Sequence, residues 1–146
     1  MKIEKLNNDS LDEAFLFLET VFSREQDIPK ELIPLEYTDQ HWWCIRYENE
    51  IVGTVAAWND NGEWHWGRLA VNTSRRGLGL GKQLAVGSFS DLFKLGVNEI
   101  VIDARDITVN LLKSLGGKVT GETEVFYGFP ITPMRLSKVD FERLNA

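Results

Sequence analysis

A single cysteine, Cys44, among 146 residues excludes an internal disulfide, so covalent cross-linking contributes nothing to stability. Histidine is nearly as scarce. His41, His65 and Cys44 at these spacings offer no ligand set for a metal, and none is expected; His41 and Cys44 are read as structural. No apolar run approaches the roughly 20 residues of a membrane-spanning helix, and the opening MKIEKLNNDS lacks the apolar core of a secretion signal. No membrane partner is therefore expected, and the cytoplasm is the expected compartment. Positive charge is also in short supply. The 16 Lys and Arg stand against 22 Asp and Glu, leaving a net charge of −6 and an isoelectric point near 4.9. That balance argues against nucleic acid, because a phosphate backbone demands a basic face, and it suits a cationic or amine-bearing substrate better. No repeat, low-complexity tract or linker divides the chain, and with 43% hydrophobic residues it reads as one domain over residues 1–146; the oligomeric state, a homodimer included, is left open.

What positive charge there is clusters in SRRGLGLGK, residues 74–82, directly after the apolar RLAV. A P-loop needs a glycine five residues before its Gly-Lys pair and Ser or Thr after it, but Gly81-Lys82 has Arg76 and Gln83 at those places. A dinucleotide fingerprint needs its last two glycines three apart, whereas Gly77, Gly79 and Gly81 alternate strictly. What remains is Arg76-x-x-Gly79-x-Gly81 between a strand and a run of helical period. Without Cβ atoms, successive backbone N–H groups can face one concavity at a helix N-terminus and hold a phosphate. A glycine-rich turn on a solvated basic patch has the same spacing, so context must decide between them.

The context is an alternation of elements. KIEKL reads as a strand, and Ser10 with Glu13 forms a capping box opening a helix whose Leu11, Ala14, Phe15, Leu18, Val21 and Phe22 share a face. REQDIPKELIPLEYTDQ reads as loop. HWWCIRYE, EIVGTVAAW and EWHWGRLAV form an antiparallel meander with tight turns at Asn49 and NDNG. A helix marked by Leu80, Leu84, Ala85, Leu92 and Leu95 stops at Gly96; EIVID is a strand, Ile107 to Leu115 a short helix, and GKVTGE and ITPMRLS closing strands. The class is α/β with a mixed, mostly antiparallel sheet flanked by helices.

This order, with RLAV running into Arg76-Gly77-Leu78-Gly79-Leu80-Gly81-Lys82, resembles the GNAT superfamily of acyl-CoA-dependent N-acetyltransferases. VFSREQDIP, IDARD, and GFP followed by Met134 look like its ElaA-like branch. The resemblance covers most of the chain. It implies acetyl-CoA as cosubstrate, with pyrophosphate on the backbone amides of residues 76–82. It also implies a fourth strand splayed from the fifth, where the backbone of Leu69, Ala70 and Val71 pairs with the pantetheine arm and thioester oxygen.

Attack of an amine on a thioester needs a proton acceptor and stabilisation of the oxyanion and the departing thiolate. His65 lies four residues before Leu69, where some family members carry a general-base carboxylate, and Glu63 falls on its face by the period of two. A packed strand histidine between Trp64 and Trp66, with a solvated glutamate near the turn, fits the same residues. Family members commonly place a proton-donating tyrosine four residues before the glycine matching Gly116. Here that residue is Leu112, the phenylalanine usual after the glycine is Gly117, and the histidine of the ElaA-like GIPH stretch falls on Ile131. Tyr127 is the nearest substitute donor, although beside Phe126 and Phe129 it also reads as aromatic packing. Since Trp42 and Trp43 face opposite ways, one of them is a candidate for lining an acceptor pocket. Two functions follow: N-acetyl transfer from acetyl-CoA to a primary amine of a small molecule or peptide, or acyl-CoA binding with little turnover, as a sensor or buffer.

Overall fold

The computed structural model describes residues 2–7, 11–23, 39–75, 77–126 and 128–145. Eight strands form one sheet in the order β1-β2-β3-β4-β5-β8-β6, with β7 also pairing β8. They are β1 (Ile3–Leu6), β2 (Gln40–Tyr47), β3 (Glu50–Asp60), β4 (Glu63–Val71), β5 (Glu99–Arg105), β6 (Lys118–Val119), β7 (Glu124–Phe126) and β8 (Phe129–Ser137). The helices are α1 (Leu11–Leu18), continued by a π turn over Glu19–Ser23, then α2 (Leu80–Lys94), α3 (Asp106–Ser114) and α4 (Lys138–Asn145). Among the described residues only β4 and β5 pair in parallel; the other ladders are antiparallel.

The meander closes through turns whose central residues take positive φ: Glu48 and Asn49 between β2 and β3, Asn61 and Gly62 between β3 and β4. Positive φ at both central residues matches the twist of the flanking strands. Strand alternation then sorts the tryptophans. Trp42 joins Ala14, Leu18 and Cys44 in a core under α1, while Trp43 joins Val55, Leu84, Phe89, Ile100 and Met134 in a larger core under α2. Both rings are buried, so neither lines a pocket, contrary to the expectation for one of them. Each indole N–H finds a partner: Trp42 donates to Gln40 Oε1 at 2.8 Å and Trp43 to Asp91 Oδ2 at 2.8 Å, the latter tying β2 to α2.

Several expected boundaries shift. The closing segment GKVTGE contributes only Lys118–Val119 as strand, β7 and α4 were not foreseen, and ITPMRLS starts two residues early at Phe129. Strands of two and three residues and a final helix rich in charge carry too little periodic apolar signal to be read. Most of the expected proline-bearing loop, the Ser10 cap, Arg76 and Tyr127 lie outside the described residues.

Candidate active site

The site begins with a defect in β4. Thr54 faces Ala70 and Ala56 faces Gly67, so Arg68 and Leu69 together oppose Val55: a β-bulge, with Arg68 at φ 59°. The bulge flips the strand over. Trp66 packs in the core under α2, yet Ala70, four residues on, packs in the core under α1. A bulged strand bends, and β4 leaves β5 at this point. The two pair only at Trp64–Ile100, His65–Val101 and Trp66–Ile102; Gly67 to Val71 and Asp103 to Arg105 lie beyond the ladder. The expected splay is therefore present.

A groove of about 540 Å³ fills the split, walled by Ala70 and Val71 on one side and Ile107, Thr108 and Leu111 of α3 on the other. Its far end is the glycine loop. Gly77 and Gly79 take φ of 84° and 77°, and a Cβ built on either meets nothing within 4 Å. Gly79 is the N-cap of α2 and no side chain caps the helix. The first-turn amides of a helix have no intrahelical acceptor, so an open concavity faces them of the kind a phosphate fills. Arg75 lines the groove and stacks on Tyr47, its guanidinium 3.9 Å from the ring centre. Of the residues expected around a cofactor, Leu69, Ala70, Val71, Gly77, Gly79, Leu80 and Gly81 line this groove; Leu78 and Lys82 are exposed outside its lining.

A second cavity, about 820 Å³, opens on the other side of the split. His65 stands in its wall, stacked on Trp58 with ring centres 5.8 Å apart and planes 10° from parallel. Its Nε2 lies 2.9 Å from Glu63 Oε1, so the shared face expected of this pair is observed. Glu63 also sits 4.0 Å from Arg135, and it holds the histidine rather than lining the cavity. Asp103, Glu122 and Glu124 put carboxylates on the cavity's rim. Cys44 belongs elsewhere: its thiol donates to Glu4 Oε1 at 3.3 Å, and burial, with that carboxylate's help, pushes it up to about 12, which rules it out as a nucleophile near neutral pH. Leu112 is fully buried in the core under α2 and is absent from both linings.

Four residues belong to both cavities: Leu69, Arg105, Thr108 and Phe129. Reading the sequence missed the last three. Burial along β5 alternates, with Ile100, Ile102 and Ala104 inside and Asp103 and Arg105 outward, and that period was the available signal. Arg105 ends β5 and lies over the Phe129 ring at 4.0 Å. Burial pulls its guanidinium below the ordinary value, although arginine stays charged at any working pH.

The glycine loop therefore opens onto a groove that shares four lining residues with a second cavity. Residues 5–116 match the acetyltransferase (GNAT) family, and the chain belongs to that family of acyl-CoA N-acyltransferases. No curated protein matches the sequence significantly. Among solved structures, Escherichia coli ElaA superposes with a TM-score of 0.81 at 19% identity, over 92% of this chain and 97% of that one. An acyl-CoA N-acyltransferase from Pseudomonas aeruginosa gives the same TM-score and identity, over 92% and 97% of the two chains. An aminoglycoside 6'-N-acetyltransferase complexed with coenzyme A is similar at TM-score 0.74 and 14% identity, over 94% and 97%. These likenesses are of fold. Among the described residues, no helix is long and apolar enough to cross a membrane.

Proposed function

We propose that this chain is a single acetyltransferase domain, residues 1–146, that moves an acetyl group from acetyl-CoA to a primary amine of a small molecule or peptide by direct attack in a ternary complex. The observation that carries this reading is the continuity of the split: one groove runs from the open glycine cradle along β4 to a waist shared with a second cavity. Pyrophosphate would lie on the amides at Gly77 to Lys82, with Arg75 beside it, and the pantetheine arm along the edge of Leu69, Ala70 and Val71 that β5 does not pair. The carboxylates of Asp103, Glu122 and Glu124 favour a cationic amine in the larger cavity.

The amine must lose a proton to attack. His65 is the side chain we assign to accept it, directly or through a water, and Glu63 orients the ring. With Nε2–H donating to Glu63, Nδ1 is the nitrogen left to take the proton. Leu112 has no proton to give the departing sulfur; Tyr127 is the candidate substitute donor, and departure as a thiolate without a donor is the alternative. A second reading, acyl-CoA binding with little turnover as a sensor or buffer, is favoured by the apolar Leu112 at the family's donor position. Incubation with acetyl-CoA and a mixed panel of amines, following free thiol, separates the two: amine-dependent thiol release supports transfer, and a CoA-induced rise in Tm with no release supports the sensor.

A further inference from the structure

We propose that Arg105 is a catalytic residue of this acyltransferase, its guanidinium donating hydrogen bonds to the thiolate that leaves when the thioester breaks. The proposal rests on the acyltransferase reading above. The reacting carbon must be reached by the carrier from one cavity and by the amine from the other, so it lies among the residues common to both. Those are Leu69, Arg105, Thr108 and Phe129. Two are apolar, and a threonine hydroxyl is too weak an acid and too small a dipole to offset a full negative charge. Arg105 alone of the four carries charge. Its place is set on two sides. The backbone passes there from β5 directly into α3, with Arg105 as the N-cap at φ −76° and ψ 158°, and the guanidinium lies 4.0 Å over the ring centre of Phe129. A stacked, partly desolvated cation needs little reorganisation when a neighbouring atom turns anionic.

In the step itself the amine nitrogen attacks the carbonyl carbon, and the C=O π pair moves onto oxygen. When that pair returns, the C–S bond breaks and its electrons leave on sulfur. The extra proton on nitrogen passes to His65 or to water. Arg105 keeps all its protons throughout, so the role asks for charge and hydrogen bonding and not for acidity. The absence of an acidic side chain at Leu112 is then compatible with turnover.

Free CoA is a sufficient probe, because its bound thiolate is the leaving group itself. A thiol titrates near 8.5, and an adjacent cation lowers it by about one unit or more. We expect the ultraviolet thiolate absorbance of CoA on the wild-type protein to titrate at least about tenfold more acidic than free CoA, read against a desulfo-CoA complex as blank. The protein's one thiol is silent in that range, because Cys44 is held at about 12. Arg105→Met should restore the free-CoA titration and lower kcat by about 10² to 10³ with the KM for acetyl-CoA nearly unchanged, and Arg105→Lys should retain part of both effects. A thiol titrating as in free solution on a wild-type protein that does bind CoA overturns the proposal and leaves the acyltransferase reading intact. No binding of CoA overturns both. The wild-type titration decides even if Arg105→Met fails to fold.

Discussion

Replacing Gly79 by valine tests the phosphate cradle with least ambiguity. The residue takes φ 77° and ψ 13°, a left-handed conformation costing an L-residue about 1–2 kcal/mol, and a β-branched side chain is the worst choice there. No steric penalty adds to this, since a Cβ at Gly79 meets nothing within 4 Å. A free-protein loss of about 1–2 kcal/mol corresponds, for a chain of this size, to a Tm lower by roughly 2–8 °C, which leaves a folded variant to study. The ligand effect is separate. At a hundred times its Kd, CoA adds about 2.7 kcal/mol to the wild type, or roughly 5–11 °C. In the variant the isopropyl group occupies the very space the anion needs, so this increment should vanish. Gly62→Val supplies the control: φ there is 93°, its Cβ position is equally open, and it sits in the β3–β4 turn away from the groove. It should lose similar stability and keep the CoA shift. The assay is thermal unfolding of all three proteins with and without CoA, NAD and ATP. A full CoA shift in folded Gly79→Val, or an equal loss of shift in Gly62→Val, would refute the reasoning.

Further expectations follow from the same geometry. His65→Ala should lower kcat by about 10² to 10⁴ while the CoA-induced Tm rise persists, and Glu63→Gln should fall between it and the wild type; steady-state rates across pH check both. Tyr127→Phe should lower turnover with little change in CoA affinity if its hydroxyl protonates the thiolate, and a silent substitution removes it from the mechanism. Gly117→Ala should destabilise by about 1–3 kcal/mol, because its Cβ would lie 2.9 Å from the Leu112 carbonyl oxygen, a backbone atom that cannot swing away. The Arg46 guanidinium, hydrogen-bonded to Glu4, holds that carboxyl below its ordinary 4.5, so its contribution is complete above 4.5 and is lost as pH falls through the lowered folded value. Acid unfolding of Arg46→Gln should accordingly lose part of the wild-type pH dependence below about 4.5, and an unchanged profile would show that the pair contributes nothing.

The meander was legible almost to the residue because period-two alternation and turn asparagines reinforce one another; EWHWGRLAV coincides with β4. The glycine loop was legible as a turn opening a helix because strand, alternating glycines and helix are contiguous, and Gly79 is the N-cap of α2. The bulge was not. Nothing in Gly67-Arg68-Leu69 announces that two residues will face one, since an arginine at φ 59° is a poor intrinsic fit that tertiary packing imposes. That one extra residue decides which side of the sheet Leu69 and Ala70 face. The waist was invisible for a related reason: Leu69, Arg105, Thr108 and Phe129 come from four separate elements, and only the assembled sheet brings them together. Gly117 shows the reverse case. Glycine there is explained locally, since a Cβ would lie 2.9 Å from the Leu112 carbonyl oxygen, to which the Gly117 amide donates at 2.8 Å.

The short ladder between β4 and β5 also bears on how the molecule holds together. An antiparallel block of β1 to β4 and another of β5 to β8 meet along three paired positions, helped by α2 crossing behind them. Such a sheet has a seam, and local opening proceeds along the weakest contiguous unit. A carrier bound in the split as proposed would touch both blocks and so act as a staple across the seam as well as a substrate. Amide exchange should therefore slow on ligand binding not only in the glycine loop but along the inner edges of both blocks, at Leu69 to Val71 and Asp103 to Arg105. The protein would then be most resistant to opening when it is loaded for reaction.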